Sequence, residues 1–371
     1  MKKTLIAASV AALVAAPAAF ADVAISGNVI QEFITDGDDT GSSEDGLDSI
    51  SAVDLVFSVS EDLGNGMSAF AKIHNYRDNA APSAGGYADQ IVGLKGDFGT
   101  VVVGRMEDFT EGKVSAMAAT DSSDALSIET NRAYKTGRAE GGLAYVSPSF
   151  NGLTFGVAGY ALSNGGASDT TTTVTVTGLS TNASAAGGST QASITSTSAV
   201  LDYNNANNLD MDNNFDATDI MVEYSNGPLL VRVAHENVDA KATKAGASGK
   251  DQKTTTIGMN YKMDNITLAG VYYDVENGQG TDSNDVDGYF VGAKIAAGAN
   301  TFGLGYTQET NINKSGSTYT KQTNGDNDSY IVSINHALSK RTSLTAAYKS
   351  LDDQDAGKDA DNFAVGIKHV F

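Results

Sequence analysis

The 371-residue chain contains no cysteine, no tryptophan and only four prolines. Without cysteine there is no disulfide framework, no thiolate metal site and no thiol nucleophile. Long apolar runs are also missing. Beyond Ala21 no stretch reaches the roughly 18 to 20 continuous apolar residues that a spanning helix needs, so the mature protein has no helical route into a membrane. Positive charge is scarce: 24 Lys and Arg stand against 45 Asp and Glu, a formal charge of −21. So acidic a chain is repelled by nucleic acid, whose binding rests on neutralised phosphates, and no nucleic-acid partner is expected.

What is present begins with an export pattern. Met1-Lys2-Lys3-Thr4 precede a mostly apolar run from Leu5 to Ala16 and then Ala19-Phe20-Ala21, the order of a signal peptide with a small-residue cleavage site. A membrane helix is the competing reading, but the run is short, is broken by Pro17 and lacks a charged stop-transfer flank. The expected division is a signal peptide over 1–21 and one domain over 22–371. Loss of Lys2 and Lys3 with a segment that has no Asp or Glu takes the charge from −21 to −23. Forty glycines with abundant Thr, Ser, Val and Tyr describe β-structure with polar loops rather than helices around a dry core.

Alternation of apolar and polar residues runs through many segments of about ten residues, the period of a strand with two different faces. Val53, Leu55, Phe57 and Val59 share one face, opposite Asp54, Ser58 and Ser60. Near the end Phe363, Val365, Ile367, His369 and Phe371 share one face, opposite Gly366 and Lys368. Turn signals between such runs place strands near 23–35, 48–61, 67–78, 86–95, 100–106, 138–147, 153–162, 217–225, 229–239, 253–262, 266–275, 287–296, 301–311, 327–337, 343–351 and 361–371. That is sixteen, an even number as bacterial barrels require.

The connections alternate in length. Short turns fall at Leu63–Gly66, Gly96–Gly99, Pro148–Gly152, Asn226–Pro228, Asp264-Asn265, Gly298–Asn300 and Leu338–Thr342. Longer polar segments fall around 36–47, 79–85, 107–137, 163–216, 240–252, 276–286, 312–326 and 352–360. One trimmed rim and one decorated rim match the short periplasmic turns and long extracellular loops of outer-membrane barrels. Proline obeys the same map, because a residue that cannot donate to a ladder is expelled from central strands. Pro82 lies in a long loop, and Pro148 and Pro228 in short turns. The fold expected is all-β, a 16-stranded antiparallel transmembrane barrel, whose closure satisfies every backbone group in lipid. Asp169–Ala199, rich in Thr, Ser, Ala and Gly, reads as a long solvated loop or a protruding hairpin.

Three stretches then resemble the Gram-negative general porin family. Gly93-Leu94-Lys95-Gly96-Asp97-Phe98-Gly99-Thr100-Val101-Val102-Val103-Gly104-Arg105 is similar to the strand–turn–strand before the constriction loop of those porins. Tyr145-Val146-Ser147-Pro148-Ser149-Phe150-Asn151-Gly152-Leu153-Thr154-Phe155 resembles the hairpin after it, and terminal Phe371 resembles the residue read by the outer-membrane assembly machinery. His369 departs from the family's terminal strand, which favours an aromatic or aliphatic residue there. The acidic, cysteine-free and tryptophan-free character resembles porins of marine and phototrophic α-proteobacteria. The resemblance implies a third loop folded into the barrel, a homotrimer, residence in the outer membrane against lipid and lipopolysaccharide, and passive diffusion of small hydrophilic solutes.

The third long connection, 107–137, carries Glu107, Asp108, Glu111, Asp121, Asp124 and Glu129, while Arg77, Arg105, Arg132, Lys135 and Arg138 lie on or near adjoining strands. In the resembling family, loop carboxylates face basic side chains across the constriction. A narrow low-dielectric channel rejects an unpaired charge, whereas opposed signs keep ions solvated, and the acidic excess predicts weak cation preference. For any one of these residues, ordinary solvated surface is the competing reading. Alternation would turn Arg105 toward lipid with Val101 and Val103; a bulge at Gly104 would turn it to the lumen.

Asp36-Gly37-Asp38-Asp39-Thr40-Gly41 resembles the start of a calcium loop, but position twelve is Leu47 rather than a bidentate Glu, so a flexible acidic loop competes with a Ca2+ site at Asp36 and Asp38. No cofactor is required. Acidic residues such as Asp326, Asp328 and Asp352 suit divalent ions bridging to lipopolysaccharide phosphates. Tyr272, Tyr273, Tyr289, Phe290, Tyr306, Tyr330 and Tyr348 read equally as interfacial girdles or as ordinary strand aromatics. Rival functions are a substrate-specific channel, a secreted β-rich adhesin, and a barrel hydrolase. The last is disfavoured because His74, His235, His336 and His369 are scattered and no nucleophile motif accompanies them.

Overall fold

The computed structural model describes residues 21–35, 47–78, 86–114, 117, 138–161, 215–240, 249–315, 318–352 and 360–371. Contacts group Met1–Leu162 with Phe215–Phe371 as one compact unit; the other, Ser163–Asn214, lies wholly outside the described residues. So do residues 1–20 of the expected signal peptide, 1–21, and the Asp169–Ala199 stretch.

In the first unit sixteen strands follow one another: β1 Asp22–Thr35, β2 Leu47–Gly64, β3 Met67–Asp78, β4 Gly86–Gly96, β5 Gly99–Glu107, β6 Arg138–Val146, β7 Leu153–Ala161, β8 Ala217–Asn226, β9 Leu229–Val238, β10 Gln252–Met263, β11 Ile266–Glu276, β12 Val286–Ala297, β13 Asn300–Ser315, β14 Thr318–Ala337, β15 Thr342–Asp352 and β16 Ala360–Val370. Each pairs antiparallel with its sequence neighbours, and β1 pairs with β16 from Asn28↔Val370 to Ile34↔Ala364, closing the barrel. Phe371 completes the seam: Gly27 N–H donates to its carbonyl at 3.1 Å and its own N–H donates to Gly27 O at 3.0 Å.

Local chemistry explains the reversals. At Asn65-Gly66 both residues have positive φ, 53° and 74°, the mirror-image turn whose twist matches that of the flanking strands. The seven short connections of the sequence reading all lie between consecutive strands at one end of the barrel.

The two strand faces separate as the alternation predicts. Val53, Phe57, Ile73, Val92, Val157, Ile220, Val291 and Val332 are exposed on the outer wall, a continuous apolar band that water would not tolerate and lipid requires. The opposite faces line the lumen. Apolar side chains collect there as well as polar ones. Met106, Phe109, Val114, Ala144, Ala158, Tyr160 and Met221 form one buried apolar cluster, and Met117, Val271, Phe290, Ile331, Ala347 and Ala364 another. Both lie on inward-facing positions, against which the segment after β5 packs.

One departure concerns β13 and β14. Residues 312–326 were expected as a loop, yet the strands run on to Ser315 and from Thr318, with a register shift between Thr310 and Ile312. Alternation of apolar with polar residues marks strands only where lipid covers one face. Beyond lipid both faces are polar, and the signature disappears.

The girdle residues also divide. Tyr272, Tyr289, Tyr306, Tyr330 and Tyr348 alternate onto the outer wall, with the Tyr289 and Tyr306 rings 6.0 Å apart. Tyr273 and Phe290, one residue out of step, turn inward and are buried, so they belong to the lumen and not to a girdle.

Candidate functional site

After Glu107 the chain leaves the ladder and crosses into the barrel. Asp108 caps a wide helical turn over Thr110–Val114: its Oδ1 accepts from Thr110 Oγ1 at 2.7 Å and from Glu111 N at 2.5 Å. A carboxylate in that position satisfies N–H groups that the first turn leaves without partners. Burial, with Glu111 and Glu107 nearby, pushes Asp108 up to about 6.

The far wall receives the segment. Asp219 Oδ2 of β8 accepts from Phe109 N at 2.6 Å and Thr110 N at 3.2 Å. Arg232 of β9 donates to Lys113 O at 2.9 Å while its Nε pairs with Glu223 at 2.7 Å. Asn260 of β10 donates to Met117 O at 3.3 Å. Fit is close as well as polar. A Cβ on Gly258 of β10 would lie 2.7 Å from Met117 Sδ and 2.9 Å from Val114 Cγ1, so a glycine is what lets this turn seat on the wall. The described start of the third long connection, 108–114 and 117, therefore folds inward across the lumen onto β8–β10.

Facing it across β1 to β6 runs a ladder of charges. Asn28 Nδ2 donates to Asp54 Oδ2 at 3.3 Å, and the other oxygen of Asp54 meets His74 Nε2. His74 Nδ1 lies 3.8 Å from Asp89, which Lys72 Nζ approaches to 2.6 Å. Arg138 bridges Asp89 at 3.4 Å and Glu107 at 3.2 Å. The group is half-buried on inward-facing positions: β2, β3 and β4 present Asp54, Lys72, His74 and Asp89 on the face opposite the lipid-facing Phe57, Ile73 and Val92. Both signs thus line the narrow part of the lumen. On the short-turn side of Met117 a cavity of about 730 Å³ opens between the inward segment and the wall, lined by Leu230, Asn260, Lys262, Thr267 and Lys294.

Set against the sequence reading, Glu107 and Arg138 come together, opposite one another in the β5–β6 register. Asp108 is present at the constriction but 1% exposed, so it holds the segment in place rather than offering charge to the pore. Glu111 lies half-buried in the first turn. Arg77 is corrected: the register sets it opposite Val53, on the outward face, because it is an even number of residues from Ile73. Lys72 and His74 are the β3 residues on the inner face; the sequence reading missed them, although counting from the apolar face of β2 would have found them. The bulge sought at Gly104 exists. Its φ is 128°, a Cβ there would lie 2.1 Å from Gln90 O, and the β5–β6 register shifts between Gly104 and Met106; yet Arg105 stays opposite Gln90, in step with outward-facing Val92 and Val103, so the register does not turn it to the lumen. Asp36, Asp38, Asp121, Asp124, Glu129, Arg132 and Lys135 lie outside the described residues. The histidines do not converge: His235 contacts Thr255, His336 contacts Asn300 and His369 contacts Thr342.

Solved structures with the same fold include the anion-selective porin from Comamonas acidovorans, at TM-score 0.63 and 18% identity over 95% of this chain and 100% of that one. OmpF of Salmonella typhi in complex with daunomycin matches at 0.63 and 18% over 94% and 97%. OmpT of Vibrio cholerae in its trimer form matches at 0.58 and 13% over 95% and 99%. None of the curated proteins matches the chain. The model of the Gram-negative porin family matches residues 7–356. With a closed sixteen-strand barrel, a lipid-facing apolar wall and a constricting inward segment, the chain is a multi-pass outer-membrane barrel and belongs to the Gram-negative porin family.

Proposed function

We propose that this outer-membrane channel passes small hydrophilic solutes and ions by passive diffusion, with a weak preference for cations. One observation carries the reading: an inward segment seated on β8–β10 confronts a wall on which Asp54, Asp89 and Glu107 alternate with Lys72, His74 and Arg138. Opposed charges across a narrow aqueous gap orient dipolar solutes and leave apolar ones no compensation for lost water order. The sign of the preference follows the acidic excess of the chain, −21 overall. The Comamonas acidovorans porin, an anion-selective barrel of the same fold, makes clear that the strands alone do not set that sign. Reversal potentials across planar bilayers in asymmetric potassium chloride are the test. A potential of the cation-selective sign is expected; one of anion-selective sign overturns the selectivity, and absence of conductance overturns the channel. A substrate-specific channel would instead show conductance saturably blocked by one solute.

The working unit is a homotrimer, a reading supported by the trimer form of the Vibrio cholerae relative. Its lipid partners are the outer membrane and lipopolysaccharide, and Phe371 is the residue offered to the assembly machinery. Calcium at Asp36 and Asp38 would bridge the first long loop to lipopolysaccharide phosphates.

A further inference from the structure

Where the inward segment leaves β5, three carboxylates converge. Asp108, Asp219 of β8 and Glu236 of β9 are 1%, 1% and 0% exposed, and one oxygen from each lies within 4.8 Å of the others. Asp219 and Glu236 are directly opposite in the β8–β9 register. Like charges facing across a ladder are destabilising, and burial raises that cost. The inward fold then adds a third.

Their hydrogen bonds have a direction. Asp219 turns Oδ2 to the N–H groups of Phe109 and Thr110, and Asp108 turns Oδ1 to Thr110 and Glu111. These four donors are neutral groups. Asp219 Oδ1 is buried with no hydrogen-bond partner. Independently, Tyr160 of β7, 1% exposed, brings a hydroxyl that is also buried and without a hydrogen-bond partner. It stands opposite Ala217, two residues from Asp219 on the same face, close enough to interact electrostatically with all three carboxylates. Buried polar groups are satisfied almost without exception, so an orphaned phenol beside an orphaned carboxylate oxygen marks something that accepts oxygen lone pairs.

Hard divalent cations do so. Oxygens held about 2.4 Å from one calcium ion are at most roughly 5 Å apart, the spread seen here. We propose that Asp108, Asp219 and Glu236, with the Tyr160 hydroxyl beside them, bind a divalent cation of the calcium class. The ion clamps the root of the constricting segment to the β8–β9 wall, joining elements over a hundred residues apart in the chain.

The test uses the full-length barrel, extracted in detergent, stripped with chelator and dialysed. Calcium binding is followed by equilibrium dialysis, and terbium luminescence excited through tyrosine supplies a second readout. Wild-type protein is expected to bind calcium at a site that Glu236→Gln weakens by roughly ten- to a hundredfold, and Tyr160→Phe is expected to cut the calcium-displaceable terbium emission. The heat-modifiable shift on SDS gels reports folding. Should Glu236→Gln fail to fold, Glu236→Asp keeps the charge, withdraws the oxygen by one methylene and is expected to weaken calcium in the same sense. Wild-type protein that binds no calcium, or folded variants that bind it as tightly as wild type, overturns the inference in favour of carboxylates held by shared protons. Conductance is not a readout, so failure here is distinct from failure of the channel reading.

Discussion

At the scale of single residues, alternation decides which charges matter, and a count that slips by one moves a residue from water to lipid. Arg77 and Tyr273 carry chemistry suited to the roles expected of them, yet each lies one step from the inner or outer face that role needs. Sequence reading assigned them by proximity to a loop or a strand end instead of by parity from an apolar neighbour. Arg138 was legible, because it begins the strand that pairs with the end of β5. Arg138→Gln is expected to leave Asp89 and Glu107 without their guanidinium and to strengthen cation preference. One unit charge at contact distance is worth about 1 kcal/mol in a water-like medium, so the permeability ratio measured from reversal potentials should rise several-fold at most. A shift toward anions would show that the ladder does not face the permeation path.

At the scale of elements, all sixteen strands could be read from the sequence to within a few residues, apart from the extended β13–β14 hairpin. The physical reason is that lipid on one side and water on the other impose opposite demands at successive positions. The same reason predicts how substitutions on β14 differ. Val332, 50% exposed on the outer wall, has no route to water for a cation, and Val332→Arg should destabilise the barrel by about 2 to 4 kcal/mol. Asn335, on the inner face and hydrogen-bonded to Ser343, should tolerate Asn335→Arg with far less loss. Urea unfolding from lipid vesicles compares the two. Equal losses would mean that the assigned faces are wrong.

At the scale of the molecule, selectivity is a property of the whole charge distribution and should be screened accordingly. The Debye length falls from about 10 Å at 0.1 M to about 3 Å at 1 M salt. Cation preference is therefore expected to shrink as mean salt concentration rises at a fixed gradient, while single-channel conductance grows. A preference unchanged across that range would point to a contact-bound ion at the constriction rather than to the diffuse field.

The sequence by itself determined the strand number, the short-turn rim and the lipid-facing wall, because each follows from the periodicity of neighbouring residues or the chemistry of a two-residue turn. Only the tertiary structure decided where the inward segment lands, that Gly258 makes room for it, and that Asp219 and Glu236 receive its root. Those contacts join residues far apart in the chain across the lumen. No local period encodes them, since they arise from which wall the closed barrel sets opposite the end of β5.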